Sequence, residues 1–347
     1  MSVTETYRGF LITLIPAALG GALWSQLGLP LAWLMGAAIV TGLLSIKGLD
    51  VTLPKPLYWP SLATIGAGVG LTITPAVAAE IARWFPLMVV MAFSGVLLAA
   101  LFTPWLARKG DMETSTAFFS LMPGGVIEMA NIGDPHGADR TTIATLHAIR
   151  VALVVGLLPL GLYTLFPSTG EAVDNTYLAL LPLILVLAIA IAGGWIGMKV
   201  NLPASWLLGA LLAVAAVTST GAVAGDIPNV LIAVAQVIVG ISLGAKFKAE
   251  RMRRLPRAMG AGTRALFIII ATMALIGIGF SQLLPMDAPT MVLAFSIGGL
   301  AEMVLTARAL ELDMAMVAAF QSIRAVLVNS CAGAIWTRLS KHFNEKD

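Results

Sequence analysis

The sequence predicts an all-α integral membrane protein of two inverted repeats, with about ten transmembrane helices and two re-entrant broken helices. Three observations lead there: a scarcity of charge, a duplication at nearly constant offset, and two glycine breaks that each precede an acid. Hydrophobic residues make up 59% of the 347 and charged residues 11%, whereas soluble domains carry about 25% charged residues. So few charges cannot cover a water-facing surface. The runs 9–27, 29–46, 85–106, 178–198, 204–224, 227–245 and 263–284 each reach roughly membrane-spanning length. A β-barrel would instead show short alternating segments.

The duplication is read from anchors in chain order. Leu29-Pro30-Leu31-Ala32-Trp33-Leu34-Met35-Gly36 returns as Leu202-Pro203-Ala204-Ser205-Trp206-Leu207-Leu208-Gly209. Gly68-Val69-Gly70-Leu71 returns as Gly240-Ile241-Ser242-Leu243, and His147-Ala148-Ile149-Arg150-Val151 as Gln321-Ser322-Ile323-Arg324-Ala325. The offsets run from 172 to 174. They predict a first membrane repeat over 1–165, a linker over 166–178, a second repeat over 179–338 and a tail over 339–347.

Each half holds six apolar segments: 9–27, 29–46, 57–73, 85–106, 115–133 and 139–165, then 178–198, 203–224, 227–245, 263–284, 290–307 and 314–337. Pro30 and Pro203 suit a helix's first turn, where the missing N–H costs nothing. Trp33 and Trp206, just inside those helices, read as interfacial anchors. Gly20-Gly21, Gly193-Gly194, Gly66, Gly68 and Gly70 read as close-packing positions. Asp139 and Asp313 precede the sixth segments as helix N-caps. The first segment has a counterpart inside the chain and so belongs to the fold rather than to a cleaved signal.

Loop charge sets the orientation, since cytoplasmic loops collect Lys and Arg. Residues 246–257 hold Lys246, Lys248, Arg251, Arg253, Arg254 and Arg257, while 166–177 and 220–228 hold none. Lys47, Lys55, Arg108, Lys109, Arg338, Lys341 and Lys346 mark further inside segments. Five net crossings per half, with the broken fifth segment re-entrant, satisfy all of these loops. The expectation is a multi-pass protein of the bacterial inner membrane with a periplasmic linker and both termini cytoplasmic.

The breaks carry the chemistry. Pro123-Gly124-Gly125-Val126-Ile127-Glu128-Met129 recurs as Ile297-Gly298-Gly299-Leu300-Ala301-Glu302-Met303. A helix interrupted within a bilayer leaves unpaired backbone groups, tolerated only inside protein or along a polar cavity. Amides after Gly125 and Gly299 would favour an anion. Glu128 and Glu302 could carry a proton, coordinate sodium or cap their own half-helices. Arg150 and Arg324 each lie 22 residues after the corresponding glutamate, deep enough to need a partner. Glu128–Arg150 and Glu302–Arg324 are the obvious pairs, with pairing across a pseudo-two-fold axis open. Asn131, His147 and Gln321 are secondary candidates, with Ser120, Ser296 and Thr306 beside them. A glycine break that serves only close helix packing is the competing explanation.

Other chemistries find little footing. Cys331 is the single cysteine, and the three histidines, His136, His147 and His342, form no ligand spacing, so no metal site, cofactor or catalytic residue is expected. No segment is long enough for a DNA-reading domain, and the basic loop reads as an anchor to anionic lipid heads. No Walker-type Gly-Lys-Ser/Thr is present.

The twin breaks, the Leu-Pro-x-x-Trp-Leu-x-Gly pair and the later arginine helices together resemble the AbrB-duplication family of bacterial inner-membrane proteins. Members are labelled ammonia monooxygenase or regulator of gene expression, and the family is similar to inverted-repeat secondary carriers. Ile297 stands where the pattern has proline and His147 where it has glutamine, so the halves are not equivalent. The resemblance and the breaks together imply a non-enzymatic secondary carrier of a small polar, anionic solute, with proton or sodium as coupling ion. The alternative is a membrane regulatory or receptor protein without net transport. No nucleic acid is expected as partner, and assembly into a homo-oligomer stays open.

Overall fold

A chain without water to satisfy its backbone must pair N–H and C=O groups within each segment, which favours helices. The computed structural model describes residues 3–166, 176–247 and 255–344. Over these it holds fourteen α-helices and no named strand, only an isolated bridge between Tyr177 and Asp226. In order they are α1 (Val3–Gln26), α2 (Ala32–Ile46), α3 (Lys55–Gly70), α4 (Pro75–Gly110), α5 (Thr114–Leu121), α6 (Val126–Gly133) and α7 (Arg140–Leu165). There follow α8 (Leu180–Lys199), α9 (Ser205–Thr218), α10 (Asn229–Gly244), α11 (Pro256–Ser281), α12 (Ala288–Phe295), α13 (Leu300–Ala309) and α14 (Met314–Asn344). Each half thus has its expected segments, the fifth split into two short helices. Most of the linker and most of the basic loop, with Asp174 and Arg253, lie outside the described residues, as does Lys346.

Among the described residues six helices are long and apolar enough to cross a membrane: α4, α7, α8, α11, most of α14, and α1 over Gly9–Gln26. Leu11, Ile15, Leu19 and Leu23 recur every four residues on α1 and are all exposed. This is the stripe a lipid-facing helix presents. The molecule is an all-α membrane protein.

Two compact units mix the halves. The first comprises 1–83, 156–249 and 300–318, and the second 84–155, 250–299 and 319–347.

In the first unit α1 packs on α2 and α8 on α9. A methyl at Gly20 would lie 2.7 Å from the Gly36 carbonyl oxygen, and one at Gly193 would lie 2.5 Å from that of Gly209. The other contacts are exchanged between halves. Gly70 of α3 faces the Leu211 carbonyl on α9, 2.8 Å from an added methyl. Gly240 of α10 faces the Leu34 carbonyl on α2, at 2.5 Å. Small residues let the backbones touch here. Gly68 differs, facing the end of the Arg308 side chain.

Two readings of this region need correction. The α2 and α9 N-caps are Leu31 and Ala204, both left-handed (φ 53° and 47°), so Pro30 and Pro203 lie just outside the helices. Trp206 is 9% exposed and stacks on Trp59 with ring centroids 5.1 Å apart. It packs inside the protein because α3 lies against α9, and is no interfacial anchor.

In the second unit α11 packs on α12, where Gly277 faces the Met291 carbonyl at 2.8 Å from an added methyl. Phe118, Phe119 and Trp336 form an aromatic cluster. The half-helices α5 and α12 are buried along nearly their whole length.

Candidate functional site: two arginine-capped helix breaks

The first break begins at Met122, the C-cap of α5, and ends at Gly125, the N-cap of α6. The second begins at Ser296, the C-cap of α12, and leads into α13. None of Gly124, Gly125, Gly298 and Gly299 has a positive φ. Glycine is needed at the first break for space. A methyl on Gly124 would lie 2.7 Å from Asn329 Oδ1 and 2.7 Å from Met129 Cε.

An interrupted helix ends in carbonyls with no intrahelical partner. Arg150, 2% exposed, donates from Nη1 to the Met122 carbonyl at 2.6 Å and from Nη2 to that of Gly124 at 2.8 Å. Arg324, 3% exposed, donates from Nη1 to the Ser296 carbonyl and from Nη2 to that of Gly298 at 2.7 Å. The same two nitrogens meet carbonyls 28 and 26 residues upstream in both cases. A planar guanidinium suits two carbonyls splayed by a break, and its charge complements a helix C-terminus.

This revises the expected Glu128–Arg150 pair: the guanidinium meets carbonyls, and Glu128 folds back onto its own helix start. A methyl on Gly125 would overlap Glu128 Oε2. A carboxylate there has the sign that suits the α6 N-terminus, although it makes no capping hydrogen bond. Glu302, half-buried on the first turn of α13, belongs to the first unit. It acts electrostatically on Tyr58, whose hydroxyl bonds to Ser242.

The helices α7 and α14 each add one polar side chain three residues before the arginine. His147 Nε2 lies 3.0 Å from the Phe119 carbonyl. A carbonyl only accepts, so Nε2 carries the proton. Gln321 Nε2 donates to Leu293 at 2.7 Å and to the Ser296 carbonyl at 3.1 Å. Asn131 stands apart, exposed and bonded to Arg140.

Sequence reading missed Asn329, whose Oδ1 accepts the Gly125 amide at 3.4 Å. The counterpart 174 residues earlier is Val155, and that polar-for-apolar difference was the available signal. Pro123 and Ile297 both come within 4 Å of a methyl placed on Gly95 of α4 (3.4 and 3.9 Å). The two breaks therefore meet beside Gly95.

Fold and breaks define a helical membrane protein with two arginine-capped discontinuous helices. The chain belongs to the AbrB family, whose model, described as transition state regulatory protein AbrB, matches residues 33–340. It is similar to a protein of Escherichia coli (strain K12) named "Putative regulator AbrB", 26% identical over 300 residues, which span 85% of this chain and 86% of that protein. It is also similar to "Uncharacterized protein YhjN" of Bacillus subtilis (strain 168), 30% identical over 341 residues, 90% of this chain and 88% of that one.

Proposed function

We propose that this protein is a secondary carrier for a small polar, anionic solute, built as inverted repeats in the bacterial inner membrane with both termini cytoplasmic. The observation that carries this reading is the matched pair of breaks, each held open by a buried arginine. Discontinuous helices at repeat interfaces are how such carriers place partial charges at the bilayer midplane. Glu128 and Glu302 are the carboxylates available to a coupling proton or sodium ion. The deciding experiment measures solute flux in proteoliposomes under imposed proton and sodium gradients. Flux that follows either gradient supports the carrier, and none across a broad panel of anions and neutral polar solutes refutes it.

The second reading, a regulatory membrane protein without net transport, is favoured by the names of the family and of the Escherichia coli relative. It predicts ligand binding without flux. Orientation is tested separately by single cysteines in a Cys331→Ser background. One at Asp174 should react with an impermeant reagent from the periplasm, and one at Arg253 should not.

A further inference from the structure

We infer that the outer face of α11, from Arg257 past Gly260 and Arg264 to Leu275, is a binding site for an anionic phospholipid. It needs only the membrane class of the fold, and holds whether or not the protein carries a solute.

Helical spacing puts the site on one face. At about 3.6 residues per turn, Arg257, Gly260, Arg264, Ile268, Ala271 and Leu275 fall on a single side of α11. All six are exposed, while Ala258, Ala265, Leu266 and Ile269 on the other side are buried in the protein. The face divides along its length. Its first turns carry two guanidiniums, and below them it is hydrocarbon, with Phe267 53% and Leu275 68% exposed. From Arg264 to Leu275 the helix rises about 16 Å, close to one leaflet of a hydrocarbon core about 30 Å thick. An acyl chain laid along that stripe leaves its headgroup level with the arginines.

Gly260 supplies the room for the headgroup. It stands three residues after Arg257 and four before Arg264, and nothing lies within 4 Å of a methyl placed on it. The bare backbone there is flanked by both arginines, so a phosphate can sit against the helix and meet a guanidinium on either side. Arg264 has no hydrogen bond or ion pair among the described residues. Arg257 reaches Asp111 at 3.4 Å, both side chains being 79% exposed. Such a pair contributes little in water, and Arg257 gives it up readily.

Charge at this end selects the headgroup. A methyl on Gly110 would lie 3.5 Å from Ala258 Cα, which brings the exposed Arg108 and Lys109 of the last turn of α4 beside the start of α11. The acids in the same segment are Asp111 and Glu113. Four cations against two acids favour a headgroup with net negative charge over a zwitterionic one. Basic residues alone would serve only to orient the chain. The gap at Gly260 and the apolar stripe below it add the binding site.

The test is thermal unfolding of the purified full chain in dodecyl maltoside with phosphatidylglycerol, phosphatidylcholine or inorganic phosphate added. Phosphatidylglycerol should raise Tm saturably, as a ligand of the folded state does, phosphatidylcholine far less, and phosphate not at all. Arg264→Gln alters an exposed, unpaired side chain, so it should unfold like the parent without lipid. Its half-saturating phosphatidylglycerol concentration should rise about fivefold, the effect of one basic residue at a lipid surface. Gly260→Trp fills open space, and should keep the lipid-free Tm while weakening the phosphatidylglycerol response by closing the gap. Lys199→Gln removes the same charge from the exposed end of α8, and should respond like the parent. Equal responses to the two lipids would overturn the site, as would inorganic phosphate acting as well as phosphatidylglycerol. So would a loss in Lys199→Gln equal to that in Arg264→Gln, or parent-like lipid responses in both Arg264→Gln and Gly260→Trp.

Discussion

Arg150 donates to the carbonyl of Met122 at 2.6 Å, across 28 residues of sequence. Met122 ends a helix, so the guanidinium caps a terminus that would otherwise lie buried and unsatisfied. Removing it leaves two buried carbonyls without donors. Arg150→Gln should destabilise the protein by about 3–5 kcal/mol, read by thermal or denaturant unfolding in detergent. Arg150→Lys should recover only part, because an ammonium cannot reproduce the planar fork. The charge swap Glu128→Arg with Arg150→Glu should not rescue folding. Recovery by the swap would show that the ion pair, rather than the carbonyls, is what matters.

Glycines of this chain should divide into two classes on substitution. Gly240→Ala sets a methyl 2.5 Å from the Leu34 carbonyl, and forcing the backbones apart should cost about 1–3 kcal/mol. Gly156 and Gly161 on α7 have nothing within 4 Å of an added methyl. Alanine at either should be neutral or stabilising by up to about 1 kcal/mol. Tm values of the three variants decide this, and similar losses in all three would contradict the packing.

How far the sequence could be read depended on distance along the chain. The breaks at Gly124-Gly125 and Gly298-Gly299, the six segments per half and the caps at Asp139 and Asp313 are local signals, and the structure has them. The partners of Arg150 and Arg324 were not legible, because carbonyls are present at every residue and only the fold selects which are orphaned. Charge arithmetic suggested glutamates instead. Trp206 misled for a similar reason: an aromatic near a helix end looks the same in sequence whether lipid or Trp59 covers it. Asn329 gave only the contrast with Val155.

Asp139 caps α7, accepting from the Thr142 amide at 2.8 Å, from the Thr141 amide at 3.2 Å, and from the Thr142 hydroxyl. Partial burial pushes its carboxyl up, but these three hydrogen bonds outweigh burial and hold it below the usual value. With the folded pKa depressed, the stabilisation is complete above the ordinary aspartate range of about 4. It is lost as pH falls through the lowered folded value. Asp139→Ala should cost about 1 kcal/mol at neutral pH, and the gap from the parent should narrow as the pH falls below the ordinary aspartate range. A gap independent of pH down to 3 would assign the loss to something other than the cap.

Arg308 and Asp226 form a two-point ion pair at 3.1 and 2.7 Å, with side chains 16% and 20% exposed. Asn229 joins the same guanidinium at 3.3 Å and donates to the Tyr177 hydroxyl at 2.8 Å. The pair ties the end of α13 to the segment before α10. Forks of this kind exceed exposed single-contact pairs. A double-mutant cycle of Arg308→Gln and Asp226→Asn should give a coupling of about 1–3 kcal/mol. A coupling near zero would make the pair a surface contact only.

Glu128 separates coupling from capping. Its carboxylate lies against Gly125 at the start of α6, where a negative charge contributes about 0.3–1 kcal/mol to the helix. Glu128→Gln keeps the shape and removes the charge, so stability should fall by no more than that. If Glu128 also carries the coupling ion, gradient-driven uptake in proteoliposomes should be abolished while solute exchange persists, a loss far larger than the change in folding. Gly125→Ala is the companion variant. The added methyl evicts the Glu128 carboxylate without altering its chemistry, and that flexible side chain can move, so folding should be nearly preserved. Uptake should fall if the carboxylate must sit at the break. Should both variants match the parent in uptake per folded protein, Glu128 is a cap alone, and the coupling ion must be sought at Glu302 with Tyr58 and Ser242.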